Sequence, residues 1–264
     1  MTALISDFQQ KYGPWALITG ASSGIGEQFA RHIALRGVNV VLLARRLARL
    51  TRLANEIRET TGVQTRVLNI DLSTPDFLER VEAATADLEI GLLVNNAGFT
   101  ITQNFLDSFL ENQVKLLKVN AQAPMMLTHS FGRKMRDRNC GGIVFVSSVT
   151  AFSAVPRWAN YAASKAYLLQ FGEALAVEVN PFNIDVLVVA PGTTNTEFIE
   201  SAEIEREVSM MQPEMVVRQT LEKLGTTSTY IPGWRNRVLT ALSRMTPSPF
   251  STLLAGRLLR SMQK

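Results

Sequence analysis

Short apolar runs of strand length alternate along the chain with longer amphipathic stretches whose apolar residues recur at helical spacing. The runs predict strands at 15–19, 38–43, 65–70, 91–95, 142–147, 184–190 and 228–231. The amphipathic stretches predict helices at 24–36, 46–60, 75–86, 108–137, 161–179 and 213–224. This βαβ rhythm predicts an α/β fold, a doubly wound parallel sheet of about seven strands with helices on both faces.

Length and composition favour one large domain. The 264 residues would make two domains small, and 46% apolar residues with 16 glycines are typical of a globular protein. We therefore expect a single domain, 1–264, with a substrate lid at 197–212 and a basic C-terminal extension at 233–264. No apolar run reaches the roughly 18 residues of a membrane span, and Met1 to Gln10 lacks a signal-peptide core. One cysteine, Cys140, excludes an internal disulfide and predicts a cytoplasmic protein.

A glycine-rich turn follows the first predicted strand. Its sequence is Gly20-Ala21-Ser22-Ser23-Gly24-Ile25-Gly26, and a helical pattern starts within it. Backbone N–H groups at such a helix start bind phosphate, and glycines let the phosphate come close to the backbone. We assign Gly20 to the sharp turn, Gly24 to close approach of a pyrophosphate and Gly26 to helix–strand packing. A Rossmann-like strand order would place a dinucleotide at the carboxyl ends of the strands.

The end of the second predicted strand discriminates between dinucleotides. A carboxylate there would bind the ribose 2′-hydroxyl of NAD, but this chain has Ala44 followed by Arg45 and Arg46. Guanidinium groups suit a 2′-phosphate, so the sequence predicts NADP(H), with Ser22 as a second donor to that phosphate. The alternative is that the two arginines only begin a basic helix.

Tyr161 and Lys165 form the clearest chemical pair. On a helix they lie on one face, where an ammonium beside the phenol would lower its pKa towards neutrality and make it a general acid or base. An ordinary solvated helix face is the alternative for the pair alone. Ser148, at the end of the fifth strand and 13 residues before Tyr161, would aim at the same cleft.

Taken together, these motifs resemble those of the short-chain dehydrogenase/reductase family over residues 13–232. The resemblance rests on Thr19 to Gly26, Asn95-Asn96-Ala97-Gly98, Asn120, Ser148, Tyr161 with Lys165, and Pro191-Gly192. The segments Lys11 to Trp15 and Leu88 to Val94 are similar to those of the branch containing 3-oxoacyl-CoA reductases and 17β-hydroxysteroid dehydrogenases. The resemblance implies a cofactor-dependent oxidoreductase that interconverts a carbonyl and an alcohol.

It also implies the site residues. Ser148 would bind the carbonyl oxygen, Tyr161 transfer the proton, Lys165 hold the nicotinamide ribose, and Asn120 link Lys165 to solvent through water. The remaining cofactor contacts would come from loops after the strands. These contacts are expected from Ser23, Ile25, Asp71, Leu72, Asn95, Ala97, Gly98, Pro191, Gly192, Thr194 and Thr196. His32 and His129 stand alone, so no metal site is expected.

Three segments would wall the substrate side, namely 99–105, 150–160 and 197–212. They supply Phe99, Phe105, Phe152, Val155, Trp158, Phe198, Met210 and Met211, which would suit a lipophilic carbonyl compound. We expect a 3-oxoacyl thioester first and a hydroxysteroid or other lipophilic ketone second. A non-catalytic NADPH-binding sensor is the rival class, which the complete Asn/Ser/Tyr/Lys set disfavours, and a nucleotide-sugar epimerase is disfavoured by the glycine spacing.

The net charge of +4 is concentrated in the tail, because residues 225–264 contain six basic residues and no acidic one. Two apolar series at helical spacing predict two short basic amphipathic helices separated by Pro247 and Pro249. The series are Val238, Leu239, Leu242, Met245 and then Phe250, Leu253, Leu254, Leu258, Met262. They could lie on an anionic membrane, receive coenzyme A phosphates, or pack on the core or a second subunit, packing being favoured. No basic stripe predicts nucleic-acid binding, and we expect a homodimer or homotetramer.

Overall fold

The computed structural model describes residues 7–202, 210–246 and 248–261. Within these ranges the strands are β1 (Trp15–Thr19), β2 (Asn39–Ala44), β3 (Thr65–Asn69), β4 (Ile90–Asn95), β5 (Gly141–Val146), β6 (Ile184–Val189) and β7 (Thr229–Tyr230). The helices are α1 (Asp7–Tyr12), α2 (Gly24–Ala34), α3 (Leu47–Thr61), α4 (Phe77–Ala84), α5 (Leu110–Leu117), α6 (Ala123–Arg138), α7 (Ala159–Val179), α8 (Phe198–Ser201), α9 (Pro213–Lys223), α10 (Trp234–Met245) and α11 (Ser248–Ser261).

The strands form one parallel sheet in the order β3-β2-β1-β4-β5-β6-β7. Leu17 of β1 pairs with Val41 on one side and Leu93 on the other, so the chain winds outward in both directions from β1 and β4. The predicted Rossmann-like doubly wound sheet is confirmed. The reversal of strand order between β1 and β4 opens a crevice at the carboxyl ends of these strands.

Alternate strand residues feed two cores, one on each face of the sheet. In β2, Val40 and Leu42 pack with α2, α3 and α9, whereas Val41 and Leu43 pack with α4, α6 and α7. All four side chains are fully buried. Burial on both faces explains why the strands read as continuous apolar runs rather than alternating ones.

The long helix predicted at 108–137 is interrupted. It consists of α5, a π-helical turn at Lys118–Gln122, and α6. Neither α1 nor α8 was predicted, and β7 is only two residues long instead of the expected 228–231. Of the predicted lid at 197–212, residues 203–209 lie outside the described ranges, as do Met1 to Ser6 of the N-terminus.

The tail forms two helices, as predicted, but their apolar series do not pack on the body of the chain. The described residues of both series face outward, and the exposed fractions of Met245 and Phe250 are 83% and 68%. The opposite helix faces pack instead, through Thr240 and Leu259. The prediction that these apolar series pack on the core is therefore wrong. The contact between the tail helices and the body of the chain is made by residues that lie between the members of the series.

Pro249 is in the first turn of α11, where a proline removes no helical hydrogen bond, and not in the break between the helices. Pro247 and Met262 lie outside the described residues. Among the helices that the structure describes, none is both long enough and apolar enough to cross a lipid bilayer.

Candidate active site

The glycine turn between β1 and α2 holds its glycines for different reasons. Gly20 has a φ of 68°, in the left-handed region that favours glycine. At Gly24 an added Cβ would come within 2.9 Å of the Cγ2 of Thr196. At Gly26 it would meet the carbonyl oxygen of Gly20 at 2.3 Å, so Gly26 serves helix–strand packing and does not line the cleft. The cleft side of the turn is lined by Gly20, Ser22, Ser23, Gly24 and Ile25.

Arginine side chains meet this turn from the end of β2. The Nε and Nη2 atoms of Arg46 donate to the Ser22 hydroxyl at 3.1 and 3.0 Å, and Nη2 also donates to the Ser23 hydroxyl at 2.6 Å. Arg45 is exposed at the mouth of the same cleft. Ala44 leaves no carboxylate at the strand end. The structure thus brings together the cationic and hydroxyl donors that the sequence predicted for a 2′-phosphate.

Asp71 and Leu72 follow β3 and line the cleft, where the sequence predicted cofactor contacts. The Oδ1 atom of Asp71 accepts hydrogen bonds from the Ser73 amide and hydroxyl, at 2.9 and 2.8 Å. Burial raises the pKa of Asp71, but these bonds and the nearby Lys115 ammonium outweigh it and hold the pKa below the ordinary value. The Asp71 carboxylate therefore also stabilises the turn that follows β3.

The loop after β4 departs from one prediction. Asn95 does not line the cleft: its side chain is buried, and Nδ2 donates to the Thr128 hydroxyl at 3.1 Å. As the last residue of β4 its side chain points into the α6 side of the sheet, and Asn96 lines the cleft instead, with Ala97 and Gly98. The Nδ2 atom of Asn96 donates to the Thr19 carbonyl at 2.9 Å, which ties this loop to the end of β1.

Tyr161, Ser148 and Lys165 converge at the centre of the cleft. Ser148 and Tyr161 line the same part of the cleft, and the Ser148 hydroxyl accepts a hydrogen bond from the Thr150 amide at 3.2 Å. One turn further along α7, the Nζ atom of Lys165 donates to the Val146 carbonyl at 2.8 Å and lies 5.7 Å from the centroid of the Tyr161 ring. All three residues are buried. The preceding residue, Ser147, donates to the Lys165 carbonyl at 2.8 Å.

The pKa values differ from the sequence prediction. Burial raises the pKa of Tyr161, and the neighbouring Ser148 hydroxyl only partly opposes this rise. Burial lowers the pKa of Lys165 to about 8. The prediction that the ammonium lowers the phenol pKa is wrong for this structure, because desolvation dominates and the opposing contribution comes from Ser148. Tyr161 is consequently protonated at neutral pH, the form that can give a proton to a developing alkoxide.

Asn120 lies in the π-helical turn between α5 and α6 and is fully buried. Its Oδ1 accepts from the Phe99 amide at 3.1 Å, and its Nδ2 donates to the Phe99 carbonyl at 2.9 Å and the Ser164 hydroxyl at 3.2 Å. An added Cβ on Gly98 would lie 3.3 Å from both Asn120 Oδ1 and Lys165 Nζ. Asn120 therefore stands beside the lysine, with only a glycine between them.

The segment after β6 closes the cofactor side of the cleft with Pro191, Gly192, Thr194 and Thr196. Both threonine hydroxyls donate to nearby carbonyl groups, Thr194 to Gly192 at 2.9 Å and Thr196 to Thr194 at 3.3 Å. The bridge between Thr194 and Met211 connects this segment to the residues before α9.

The substrate side is aromatic. Phe99, Trp158 and Phe198 line the cleft, and the rings of Trp158 and Phe198 each lie 5.5 Å from the Tyr161 ring, centroid to centroid. Val155 and Met210 belong to the same apolar cluster, to which α11 contributes Leu259.

Three predicted wall residues are elsewhere. Phe152 packs against the core beneath the cleft, because the 3₁₀ turn at Val149–Phe152 rotates it inward, and the Arg244 guanidinium covers its ring. Phe105 is half exposed and does not line the cleft. Met211 belongs to the core cluster on the α2 side of the sheet.

The whole cleft measures about 440 Å³ and runs from the arginines to the aromatic wall. Further residues that line the cleft were not singled out from the sequence, among them Asn96, Val119, Thr193, Glu197 and Ile199. Asn96 could have been found, since it belongs to a quoted motif, and Glu197 and Ile199 fall within the predicted lid segment. Val119 and Thr193 carry no signal of their own, because only the tertiary fold brings them to the cleft.

Comparisons with known proteins agree with this geometry. The family model described as short chain dehydrogenase matches residues 14–207. A 7β-hydroxysteroid dehydrogenase of Collinsella aerofaciens is 35% identical over 88% of this chain and 90% of its own. A solved structure of a 7β-hydroxysteroid dehydrogenase superposes with a TM-score of 0.89 at 32% identity, covering 95% of this chain and 99% of the other. A short-chain dehydrogenase from Sphingobium yanoikuyae in complex with NADPH has a TM-score of 0.80 at 32% identity, covering 88% and 94%.

The chain belongs to the short-chain dehydrogenase family. It is an oxidoreductase acting on CH–OH groups. Solved relatives have been determined in complex with NADPH or with NADH. Family membership alone therefore does not determine which of the two cofactors a given chain binds. The lining of the cleft fits such a dinucleotide, because the backbone of Gly20, Gly24 and Gly98 borders it together with the hydroxyl and guanidinium donors of the glycine turn and the end of β2.

Proposed function

We propose that this protein is an NADP(H)-dependent reductase of a lipophilic ketone, with a hydroxysteroid as the corresponding alcohol. The observation that carries the proposal is the buried Ser148–Tyr161–Lys165 cluster facing an aromatic wall inside one continuous cleft. The sequence ranked a 3-oxoacyl thioester first. The relatives named as hydroxysteroid dehydrogenases support the second-ranked substrate class better, and we adopt it.

The proposed chemistry divides between cofactor and protein. A bound nicotinamide cofactor supplies the hydride. Ser148 donates a hydrogen bond to the substrate oxygen, on which negative charge develops, and Tyr161 gives that oxygen its proton. Lys165 holds the nicotinamide ribose near the phenol. Asn120 fixes the loop at Phe99 and connects Lys165 to solvent through a water molecule. The positions of Tyr161 and Ser148 support these roles, because both side chains line the same part of the cleft.

NADP(H) is proposed over NAD(H) because of the donors at the end of β2. Arg46 already holds the Ser22 and Ser23 hydroxyls, and Arg45 flanks them. Ala44 offers no acceptor for a free ribose 2′-hydroxyl. The remaining cofactor contacts are proposed as the sequence predicted them, with Asn96 in place of Asn95.

The aromatic wall favours a rigid apolar substrate. Phe99, Trp158 and Phe198 line the cleft around the reacting groups, and Trp158 is fixed by a 2.8 Å hydrogen bond from its Nε1 to the Thr102 hydroxyl. A fixed aromatic surface suits a fused-ring substrate, which loses little conformational freedom on binding.

The test is NADPH oxidation against a panel of steroid ketones, 3-oxoacyl thioesters and simple aldehydes, with NADH in parallel. We expect the highest kcat/KM for a steroid ketone with NADPH. Tyr161→Phe should reduce kcat by at least ~10²-fold, the contribution of a general acid, while NADPH binding stays within about twofold. A higher kcat/KM for acyl thioesters would instead support the substrate class that the sequence ranked first, a 3-oxoacyl thioester. NADPH binding without turnover of any ketone would make the protein a sensor.

We further propose self-association as a homodimer or homotetramer in a reducing cytoplasm. The α5–α7 face supports assembly, since Val114, Leu117, Met125 and Tyr167 are all around 40% exposed there. The single free Cys140 supports the location. Sedimentation velocity of the wild type and of Leu117→Glu tests the first point: the variant should sediment as a smaller species. Because the apolar face of the tail points outward, three of the predicted binding partners of the tail remain. They are a membrane surface, coenzyme A phosphates and a second subunit.

A further inference from the structure

A carboxylate occupies the centre of the cluster that the sequence assigns to a phosphate. The Oε2 atom of Glu197 accepts a hydrogen bond from Arg46 Nη1 at 2.6 Å, and its Oε1 accepts from Arg49. The same Arg46 guanidinium holds the Ser22 and Ser23 hydroxyls. Glu197 lines the cleft together with these residues, although it lies about 150 positions away along the chain.

The chemistry of this carboxylate imitates that of the proposed ligand. A carboxylate and a phosphate both accept hydrogen bonds from the planar arginine fork. Hydrogen bonds from Arg46 and Arg49 lower the pKa of Glu197 to about 2, so it carries its negative charge throughout the neutral range. A 2′-phosphate is also anionic there. The two groups would repel each other if they shared the same guanidinium groups.

We propose that Glu197 is an internal competitor for the 2′-phosphate of NADP(H). Binding of NADPH has to displace the carboxylate from Arg46 and Arg49, whereas NADH, which lacks the phosphate, leaves it in place. Glu197 therefore weakens NADPH binding selectively and sets how strongly the enzyme discriminates between the two cofactors. This inference rests on the proposed NADP(H) specificity.

The position of Glu197 gives the competition a second effect. The next residue, Phe198, begins α8, and its ring is 5.5 Å from the Tyr161 ring. The ion pairs of Glu197 thus anchor the start of a substrate wall to the cofactor site. Displacement of the carboxylate by a phosphate frees this anchor, and by thermodynamic reciprocity a substrate that shifts Phe198 alters NADPH affinity.

The test compares dissociation constants of NADPH and NADH for four full-length proteins. These are the wild type, Glu197→Gln, Arg46→Ala and the control Glu56→Gln. Glu56 is matched to Glu197, because it pairs with Arg31 at 2.5 Å and its side chain is 39% exposed, against 44% for Glu197. The control therefore removes the same charge from a similar surface ion pair away from the cleft.

We expect Glu197→Gln to bind NADPH about three- to tenfold more tightly, the effect of losing two solvent-exposed ion pairs, with NADH unchanged within about twofold. Glu56→Gln should match the wild type with both cofactors. Weaker NADPH binding by Glu197→Gln would overturn the inference and make Glu197 a positioning residue for Arg46. Equal changes for both cofactors, or none, would overturn it as well.

The same measurements separate this inference from the proposed cofactor specificity. If the wild type binds NADH as tightly as NADPH and Arg46→Ala changes neither, the NADP(H) proposal fails and the inference fails with it. If the wild type prefers NADPH through Arg46 but Glu197→Gln behaves like Glu56→Gln, only the competition is refuted.

Discussion

The side-chain amide of Asn120 pairs with both backbone groups of Phe99. Its Oδ1 accepts from the Phe99 N–H at 3.1 Å, and its Nδ2 donates to the Phe99 C=O at 2.9 Å. This pairing joins the π-helical turn to the loop that follows β4, and it fixes the loop between Lys165 and the aromatic wall of the cleft. The position of this loop, on which the proposed chemistry depends, is therefore set by this contact.

The first prediction concerns that contact. Asn120→Leu keeps the approximate size of the side chain but leaves both backbone groups of Phe99 without their partner. We expect the free energy of unfolding to fall by about 1–3 kcal/mol, the cost of unsatisfied polar groups. Urea denaturation measures it, with Gln122→Ala as a control because Gln122 is exposed in the same turn. Equal stability of the two variants would show that the pairing contributes nothing.

A second prediction uses the narrow gap beside Gly98. The added methyl group of Gly98→Ala would lie 3.3 Å from Asn120 Oδ1 and from Lys165 Nζ, so the ammonium has to shift. Because displacements near 1 Å can cost about 10²-fold in rate, we expect kcat to fall by at least ~10-fold in a folded protein. Gly132→Ala is the control, since its methyl group would have an ordinary contact of 3.7 Å with Ile143. Unchanged kcat in Gly98→Ala would refute the role of this spacing.

A third prediction follows from the pKa of Lys165. Burial lowers it from 10.5 to about 8, so between these pH values the unfolded chain binds a proton that the folded protein does not. The contribution of Lys165 to the free energy of unfolding therefore rises with pH above 8, by up to about 3 kcal/mol over the full interval. Lys165→Met should remove this rise.

Urea denaturation at several pH values from 7 to 9.5 would measure the rise. Lys223→Met is the control, because Lys223 is exposed in the last turn of α9 and should leave the pH dependence as in the wild type. The same slope in wild type and Lys165→Met would mean that Lys165 keeps an ordinary pKa in the folded protein.

A fourth prediction tests the substrate wall. Phe198→Ala removes the ring that lies 5.5 Å from Tyr161, and should lower kcat/KM for a steroid ketone by about 10–200-fold, the usual value of an apolar contact in a specificity pocket. Cyclohexanone, which is too small to use the whole wall, should be affected less. Phe152→Ala provides the comparison, because Phe152 packs into the core outside the cleft. It should reduce stability without changing the ratio between the two ketones.

Sequence patterns were sufficient for the sheet but not for all of the site. The central strands of the sheet could be predicted because they are buried on both faces and read as apolar runs, such as Val40 to Leu43. Side-chain direction was harder to predict. Asn95 and Asn96 are adjacent and chemically identical, and only the end of β4 decides which of them faces the cleft. Phe152 is directed inward by a 3₁₀ turn that has no clear sequence signal.

The remaining errors come from interactions that are distant in sequence. The direction of the Tyr161 pKa shift depends on desolvation, and desolvation depends on Trp158 and Phe198 packing around the phenol. The ion pairs of Glu197 link segments about 150 residues apart, so no local pattern could indicate them. The outward face of the tail depends on which side of each helix contacts the body, and amphipathic spacing alone does not determine that.

The π-helical turn has a consequence for how this chain can vary in length. Deleting one residue there, Gln122 for example, would allow continuous α-helical hydrogen bonding from α5 into α6. It would also rotate the preceding helix by about 100° relative to α6 and carry Asn120 away from Phe99. The deletion variant would thus have a more regular helix but no enzymatic activity. Among homologous chains, insertions and deletions should therefore be tolerated in surface loops but be absent from these five positions.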